Sequence, residues 1–219
     1  MAKLFDNYPL QDLIDTKEYG LKMKINEYDD SRISSMTLNL DSEIDKLISS
    51  CDDLVVPKLQ SDKPISEDFD KKALSSYHPI DVEWFEDNDP IDVAIYEVPF
   101  TGNPQFFQCN RETPYGSQAI HATINSNSKS LMLECPEYKY KIIDENGNIK
   151  DEVIRNSIVK DTSEILKKLR KSCDDKIKII EDILNELEKD LSDCLIEMKK
   201  NLKAHTNEKV KELKKQNDA

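Results

Sequence analysis

The sequence contains only four glycines in 219 residues, and neither glycine nor proline occurs after Gly147. These two residues are the strongest helix breakers, so the last third lacks the usual signals for turns and strand ends. We therefore predict a globular domain over residues 1–148 and a helical arm over residues 152–219. A helix covering Ile158–Ala204 would be about 70 Å long, more than twice the diameter of a small domain.

Other absences bear on where the protein resides. The sequence has no run of about 18 apolar residues, which excludes a membrane-spanning helix. The segment Met1–Asp6 leads into polar sequence and not into the apolar core of a signal peptide. The five cysteines are scattered without a CxxC pair, a pattern typical of reduced thiols and not of a zinc site. We expect a cytoplasmic protein with no membrane association.

Catalytic motifs are also missing. With three histidines, no glycine-rich phosphate loop and no metalloprotease motif, the single nucleophile and base that can be paired are Cys109 and His121. As a cysteine-dependent hydrolase, the chain would need an exposed Cys109 with a lowered thiol pKa. Acidic residues crowd around Trp84, but they lack the spacing of a calcium loop and indicate a solvated face. We expect no enzyme activity, no cofactor and no metal.

Charge is unevenly distributed along the chain. Residues 1–100 carry 23 acidic and 10 basic side chains, which accounts for the whole net charge of −13. The C-terminal segment is locally cationic, which lysines at the end of a helix explain through the helix dipole. A nucleic-acid site is the alternative, although the acidic front would slow association with a polyanion, and we expect no such binding. Its residues would be Lys199, Lys200, Lys203, Lys209 and Lys211.

The arm carries an apolar seam with alternating steps of four and three residues, the pattern of helices that pack along a partner. Arg170 and Asn201 interrupt the seam, and Thr206 is predicted to cap a restarted helix. Two uses of the seam remain open: packing on the chain itself, or binding a second copy or another protein. The seam consists of Cys173, Ile177, Ile180, Leu184, Leu187, Leu191, Cys194 and Met198.

The first 80 residues predict mainly helices. A short helix over residues 7–16 should break at Gly20, and alternation from Leu21 to Ile25 indicates a strand. Apolar residues at helical spacing predict one helix from Ile33 to Cys51, and Pro57 should end it. Residues 57–80 are predicted to form an irregular connection, held by Tyr77 and Trp84.

Strands are predicted from Asp92 onward. Residues 92–98 form a buried-strand pattern, residues 100–104 a turn, and Phe106 and Phe107 return to the core. Residues 119–124 and 131–135 predict a hairpin with a loop at 125–129, and residues 138–143 a further strand. The fold class is therefore α+β: a small antiparallel sheet with flanking helices, followed by the long C-terminal helical arm.

The stretch from Val98 to Phe107, read with Pro114, the hairpin and the glycine-free tail, resembles a group of uncharacterised bacterial cytosolic proteins. The pair Asn201-Leu202 also resembles a residue pair in the tail of that group. The residues from Asn110 to Pro114 differ from the sequence that the group has after its turn. The resemblance implies an α+β front followed by helices, and no activity or catalytic residue. It also implies the front module of a larger chain in a bacterial defence-type assembly.

Taken together, the sequence favours a non-catalytic protein-interaction or regulatory module that uses its arm for association with itself or with a partner. The nucleic-acid-associated protein and the cysteine-dependent hydrolase are the alternatives.

Overall fold

The computed structural model describes residues 2–51, 53–62, 66–73, 90–110, 120–136 and 162–217. The expected anchors Tyr77 and Trp84, most of the acidic run and the strand predicted at 138–143 lie outside these residues. The fold class is α+β as predicted, with an antiparallel sheet, helices and a long C-terminal helix.

The chain is organised in two units. The sheet unit takes Met1–Ala2, Leu59–Phe100 and Ala119–Glu181, and the helical unit takes Lys3–Lys58, Thr101–Gln118 and Asp182–Ala219. The units cross the boundary expected near residue 148, because each combines part of the front with part of the C-terminal helix.

The sheet is built on strand β4 (Pro90–Thr101), which pairs antiparallel with β3 (Ser66–Ala73) on one side and β6 (Ser130–Pro136) on the other. β6 continues antiparallel to β5 (His121–Asn125). The two-residue strands β1 (Ala2–Lys3) and β2 (Lys58–Leu59) complete the order β1-β5-β6-β4-β2, with β3 also paired to β4. Burial alternates along β4, where Ala94, Tyr96 and Val98 face the core, as the strand pattern requires.

The β5–β6 hairpin was predicted, and side chains explain where it turns. The Asn125 carboxamide oxygen accepts hydrogen bonds from the backbone N–H groups of Asn127 and Ser128, both at 3.2 Å. This is an Asx turn, for which asparagine is a favoured residue. The Ser130 hydroxyl then donates to the Glu97 carboxylate on β4 at 2.6 Å. β3 corrects the prediction of an irregular connection at 57–80, since residues 66–73 pair with β4.

The helical unit opens with α1 (Leu10–Asn26), which corrects two predictions. The helix continues through Gly20, and Leu21 to Ile25 belong to it instead of forming a strand. Its buried residues Leu13, Ile14, Leu21 and Ile25 lie on one face. The free energy gained by burying these four side chains exceeds the cost of about 1 kcal/mol for a glycine inside a helix.

The helix predicted from Ile33 to Cys51 is two helices, α2 (Asp30–Leu38) and α3 (Leu40–Ser49). Asn39 separates them with a non-helical backbone at φ −145° and ψ 52°. Asp29 caps α2 by accepting a hydrogen bond from the Arg32 backbone N–H at 2.7 Å. A short 3-10 helix follows β4 at Pro104–Gln108 and buries Phe106 and Phe107, as predicted.

The last helix, α4 (Thr162–Asn217), has 56 residues, and at 1.5 Å per residue it is about 84 Å long. The restart predicted at Thr206 is wrong. Thr206 is fully buried, and its hydroxyl donates to the Leu202 carbonyl one turn earlier at 2.8 Å. A threonine satisfied in this way does not cap a new helix. The described residues contain no strand after residue 155.

Candidate functional site

The apolar seam of α4 is covered by the chain itself. In the sheet unit, Cys173, Ile177 and Ile180 are buried. In the helical unit, Leu184, Leu187, Leu191 and Met198 are buried too, and Cys194 is partly exposed. Seven of the eight residues expected to bind a partner are therefore covered by the chain itself.

Within the helical unit, α1 runs parallel to α4. The Cys194 thiol donates to the Gln11 side chain at 3.7 Å, the Asn201 amide to Glu18 at 3.1 Å, and the Lys209 ammonium to the Asn26 carbonyl at 2.6 Å. All three pairs have the same sequence separation of 183 residues. This constant separation means that the two helices keep one register over about four turns, so α1 is the neighbour of α4 over residues 194–209, which include the last two seam residues.

The lysines considered for nucleic acid have protein partners. Lys199 pairs with Asp45 at 2.6 Å, and Lys203 pairs with Asp41, both on α3. The hydrogen bond to Lys203 lowers the pKa of Asp41, and the hydrogen bond to Asp45 raises the pKa of Lys199. Lys200 pairs with Glu197 at 3.2 Å within α4. The acidic front thus neutralises part of the cationic segment.

Lys209 is also engaged, because its ammonium donates to the carbonyls of Ile25, Asn26 and Tyr28 at the end of α1. Lys211 is exposed. Four of the five lysines considered for nucleic acid therefore make contacts within the helical unit.

Cys109 and His121, the residues of the hydrolase alternative, are both within the described residues. Cys109 follows the 3-10 helix, is fully buried, and directs its thiol at the Gln105 carbonyl at 3.8 Å. Burial raises the pKa of Cys109 to about 11, the opposite of what a reactive thiol needs. His121 lies on β5.

A groove of about 420 Å³ lies beside α1 in the helical unit, and sequence reasoning did not identify it. We call it the α1 groove. Gly20 forms part of its wall, and a Cβ atom built there would meet nothing within 4 Å. The groove is lined by Thr16, Lys17, Gly20 and Leu21 of α1 and by Ser50, Cys51 and Asp53 after α3.

The wall opposite α1 is held firmly. Lys17 forms an ion pair with Asp53 across the groove, and the Asn103 amide donates to the Asp53 carbonyl at 2.7 Å. Gly102 allows the turn after β4 to lie this close to the segment at residues 53–57. Its φ is +86°, and a Cβ atom there would lie 2.7 Å from the Val56 carbonyl oxygen. The turn after β4 thus fixes the segment that forms the wall.

Exposed apolar side chains lie on α1 next to Gly20. Tyr19 is 66% exposed and Met23 is 44% exposed, and a spacing of four residues places them on one helix face. Asp15 precedes Tyr19 by four residues and Asp12 precedes it by seven, so both acids lie along the same face and both are exposed. Tyr19, Met23 and the two acids thus form an exposed apolar and acidic face of α1, separate from the residues that line the α1 groove.

Only one sequence signal pointed to this region, and it was misinterpreted. A glycine inside a helix has a conformational cost that no contact of Gly20 within the chain explains. We interpreted Gly20 as a helix end, when its effect is to open the surface of α1. The opposite wall comes from residues about 30 positions further along the chain, which no local pattern could indicate.

Comparison of the chain with protein-family models, with curated proteins and with solved structures gives no significant match. Across the part of the chain that the structure describes, no three His, Cys, Asp or Glu side chains form a group able to hold a metal ion. Among the same residues, no helix combines the length and apolar character needed to cross a membrane. The function must therefore be argued from the geometry.

Proposed function

We propose that this chain is a non-catalytic interaction module and that the exposed surface of α1, made up of the α1 groove and the face that carries Tyr19 and Met23, is its partner surface. The observation that carries the proposal is the open space above Gly20 on a helix whose neighbouring face exposes Tyr19 and Met23. Apolar anchors beside a concave surface are typical of protein-binding sites. The bacterial front modules that the chain resembles fit this role.

The charges on the exposed face of α1 favour one kind of partner. Asp12 and Asp15 are exposed on the same face as Tyr19, and the whole chain carries a net charge of −13. A second copy would be repelled, whereas a segment with lysines or arginines around an apolar side chain would be attracted. We therefore propose a different protein with a basic, amphipathic segment whose apolar side chain fills the space above Gly20.

The seam of α4 does not compete for this role, because it packs within the chain. Its burial supports a monomer of 25.3 kDa in light scattering of the purified protein. If light scattering instead showed a concentration-dependent dimer that Gly20→Leu dissociates, the partner at this surface would be a second copy of the chain and not a basic segment of another protein.

The partner can be sought by placing a photoreactive amino acid at Tyr19 in the full chain and irradiating the cells that make it. We expect a crosslinked protein, and we expect Gly20→Leu to reduce it at least tenfold by filling the groove. Leucine is a better helix former than glycine and meets open space here, so the variant should fold. The matched control is the same photoreactive residue at Leu38, which is 88% exposed on α2.

Crosslinking that is equal at Tyr19 and Leu38, or that Gly20→Leu leaves unchanged, would contradict the proposal. With the captured protein purified, the affinity should fall as salt rises and should fall further when Asp12 and Asp15 are changed to asparagine, since the proposed attraction is electrostatic.

A further inference from the structure

Two buried cysteines face each other in the sheet unit. Cys135 lies on β6 and Cys173 on α4, both are fully buried, and their thiols share a hydrogen bond. A second contact between β6 and α4 lies beside the two thiols. Lys176, one turn after Cys173, donates its ammonium to the carbonyl of Glu134 at 3.1 Å, the residue before Cys135. Strand and helix are therefore in direct contact at the cysteine pair.

The surroundings of this pair favour loss of one thiol proton. The hydrogen bond from Cys173 lowers the pKa of Cys135, and the charge of Lys176 and a hydrogen bond from Ser172 act in the same direction. The same hydrogen bond raises the pKa of Cys173, so the pair gives up one proton easily and keeps the other. A thiolate beside a protonated thiol is the arrangement that reactive cysteine pairs use.

The other cysteines with a perturbed pKa differ from this pair. Burial raises the pKa of Cys109 to about 11, and burial with nearby carboxylates raises the pKa of Cys194. Cys135 is thus distinguished by a thiol neighbour and a nearby lysine.

We propose that Cys135 and Cys173 are a redox modification site, in which a hydroperoxide converts the two thiols into a reversible disulfide that joins β6 to α4. The Cys135 thiolate attacks hydrogen peroxide, becomes a sulfenic acid and releases hydroxide, which takes up the proton lost from Cys135. The Cys173 thiol attacks the sulfenic sulfur, and the hydroxyl group leaves with the Cys173 proton as water. Two thiols are oxidised, and one peroxide is reduced to two waters.

Burial defines the class of oxidant. Both side chains are inaccessible in the folded chain, so a small uncharged peroxide can reach them through local opening more readily than a bulky disulfide can. The new bond would close a loop that contains residues 136–172 and would restrict the unfolded chain, so oxidation should raise the melting temperature by several degrees.

The experiment treats the full, reduced chain with hydrogen peroxide and maps its peptides by mass spectrometry. We expect the loss of two hydrogen atoms per chain, a peptide pair linked through Cys135 and Cys173, and reversal by a dithiol reductant. Cys109→Ser is the matched control and should leave the linkage unchanged. Lys176→Met should slow linkage several-fold, Lys176→Arg should restore most of the rate, and the exposed Lys178→Met should have no effect.

Several results would overturn the inference. The first is the absence of the Cys135–Cys173 peptide pair from the peroxide-treated wild-type chain. The second is the presence of either cysteine as a sulfinic acid in that chain. The third is a linkage that forms in Lys176→Met at the wild-type rate. The mapping on the wild-type chain decides the question even if Cys135→Ser or Cys173→Ser fails to fold, because it needs neither variant.

Discussion

The side-chain amide of Asn201 on α4 donates a hydrogen bond to the Glu18 carboxylate on α1 at 3.1 Å. Asn201 occupies a seam position, where an apolar residue would be expected from the repeat. The bond lies between the Gln11–Cys194 and Asn26–Lys209 contacts of the same helix pair. A polar residue within an apolar seam can satisfy its hydrogen bonds in only one register, so this interruption fixes the alignment of the two helices.

This bond should be measurable as a coupling between the two residues. In a double-mutant cycle of Glu18→Ala and Asn201→Ala, we expect a coupling of about 1 kcal/mol in the free energy of unfolding, the usual net value of a hydrogen bond. Urea unfolding followed by circular dichroism provides the four values. Glu18→Ala combined with Lys211→Ala should be additive, because Lys211 is exposed and lies more than two turns from Asn201. Additivity in both cycles would show that Asn201 does not set the register.

The two described glycines should respond in opposite directions to the same substitution. Gly102→Ala should lower the free energy of unfolding by about 2 kcal/mol or more, because alanine is strained at φ +86° and its Cβ atom would lie 2.7 Å from the Val56 carbonyl oxygen. Gly20→Ala should raise it by about 0.5–1 kcal/mol, since the helix gains propensity and the methyl group meets open space. Thermal and urea unfolding of both variants measure the effects. A neutral Gly102→Ala would mean that the turn after β4 relaxes away from the segment at residues 55–57.

The sequence predicted the parts of the fold that depend on long, regular patterns. The β5–β6 hairpin, the strand at residues 92–98 and the long last helix each rest on periodicity over five or more residues, and all three are present. The errors fall where one pattern fits two structures. Leu21, Met23 and Ile25 alternate as in a strand, but Leu21 and Ile25 fit a helix face equally well. The helix predicted from Ile33 to Cys51 is divided at Asn39, although the apolar spacing continues across that residue.

The candidate sites could not be predicted, because each joins segments that are far apart in sequence. Cys135 and Cys173 lie in separate elements with no motif between them, and the walls of the α1 groove come from α1 and from the segment after α3. Thr206 shows the same limit at one residue. Its type favours a helix cap, but the buried surroundings direct its hydroxyl to the Leu202 carbonyl.

The last prediction concerns Lys209, whose ammonium donates to the carbonyls of Ile25, Asn26 and Tyr28 at 2.8, 2.6 and 3.1 Å. These carbonyls lie at the end of α1, where the helix dipole favours a cation. The Ile25 carbonyl also accepts a hydrogen bond from the Tyr28 backbone N–H at 3.2 Å. Lys209→Met removes the donors and keeps most of the aliphatic stem, so we expect a loss of about 1–3 kcal/mol in the free energy of unfolding.

Hydrogen exchange should localise this effect, with faster exchange of the backbone amides in the last turn of α1. Lys211→Met is the matched control, because Lys211 is exposed two residues later on the same helix, and it should change stability by no more than about 0.5 kcal/mol. If Lys209→Met proved as neutral as the control, the ammonium would not be a structural cap. Lys209 would then become available again as a candidate for binding a polyanion. A loss confined to Lys209→Met would instead assign this lysine to the packing of α1 against α4.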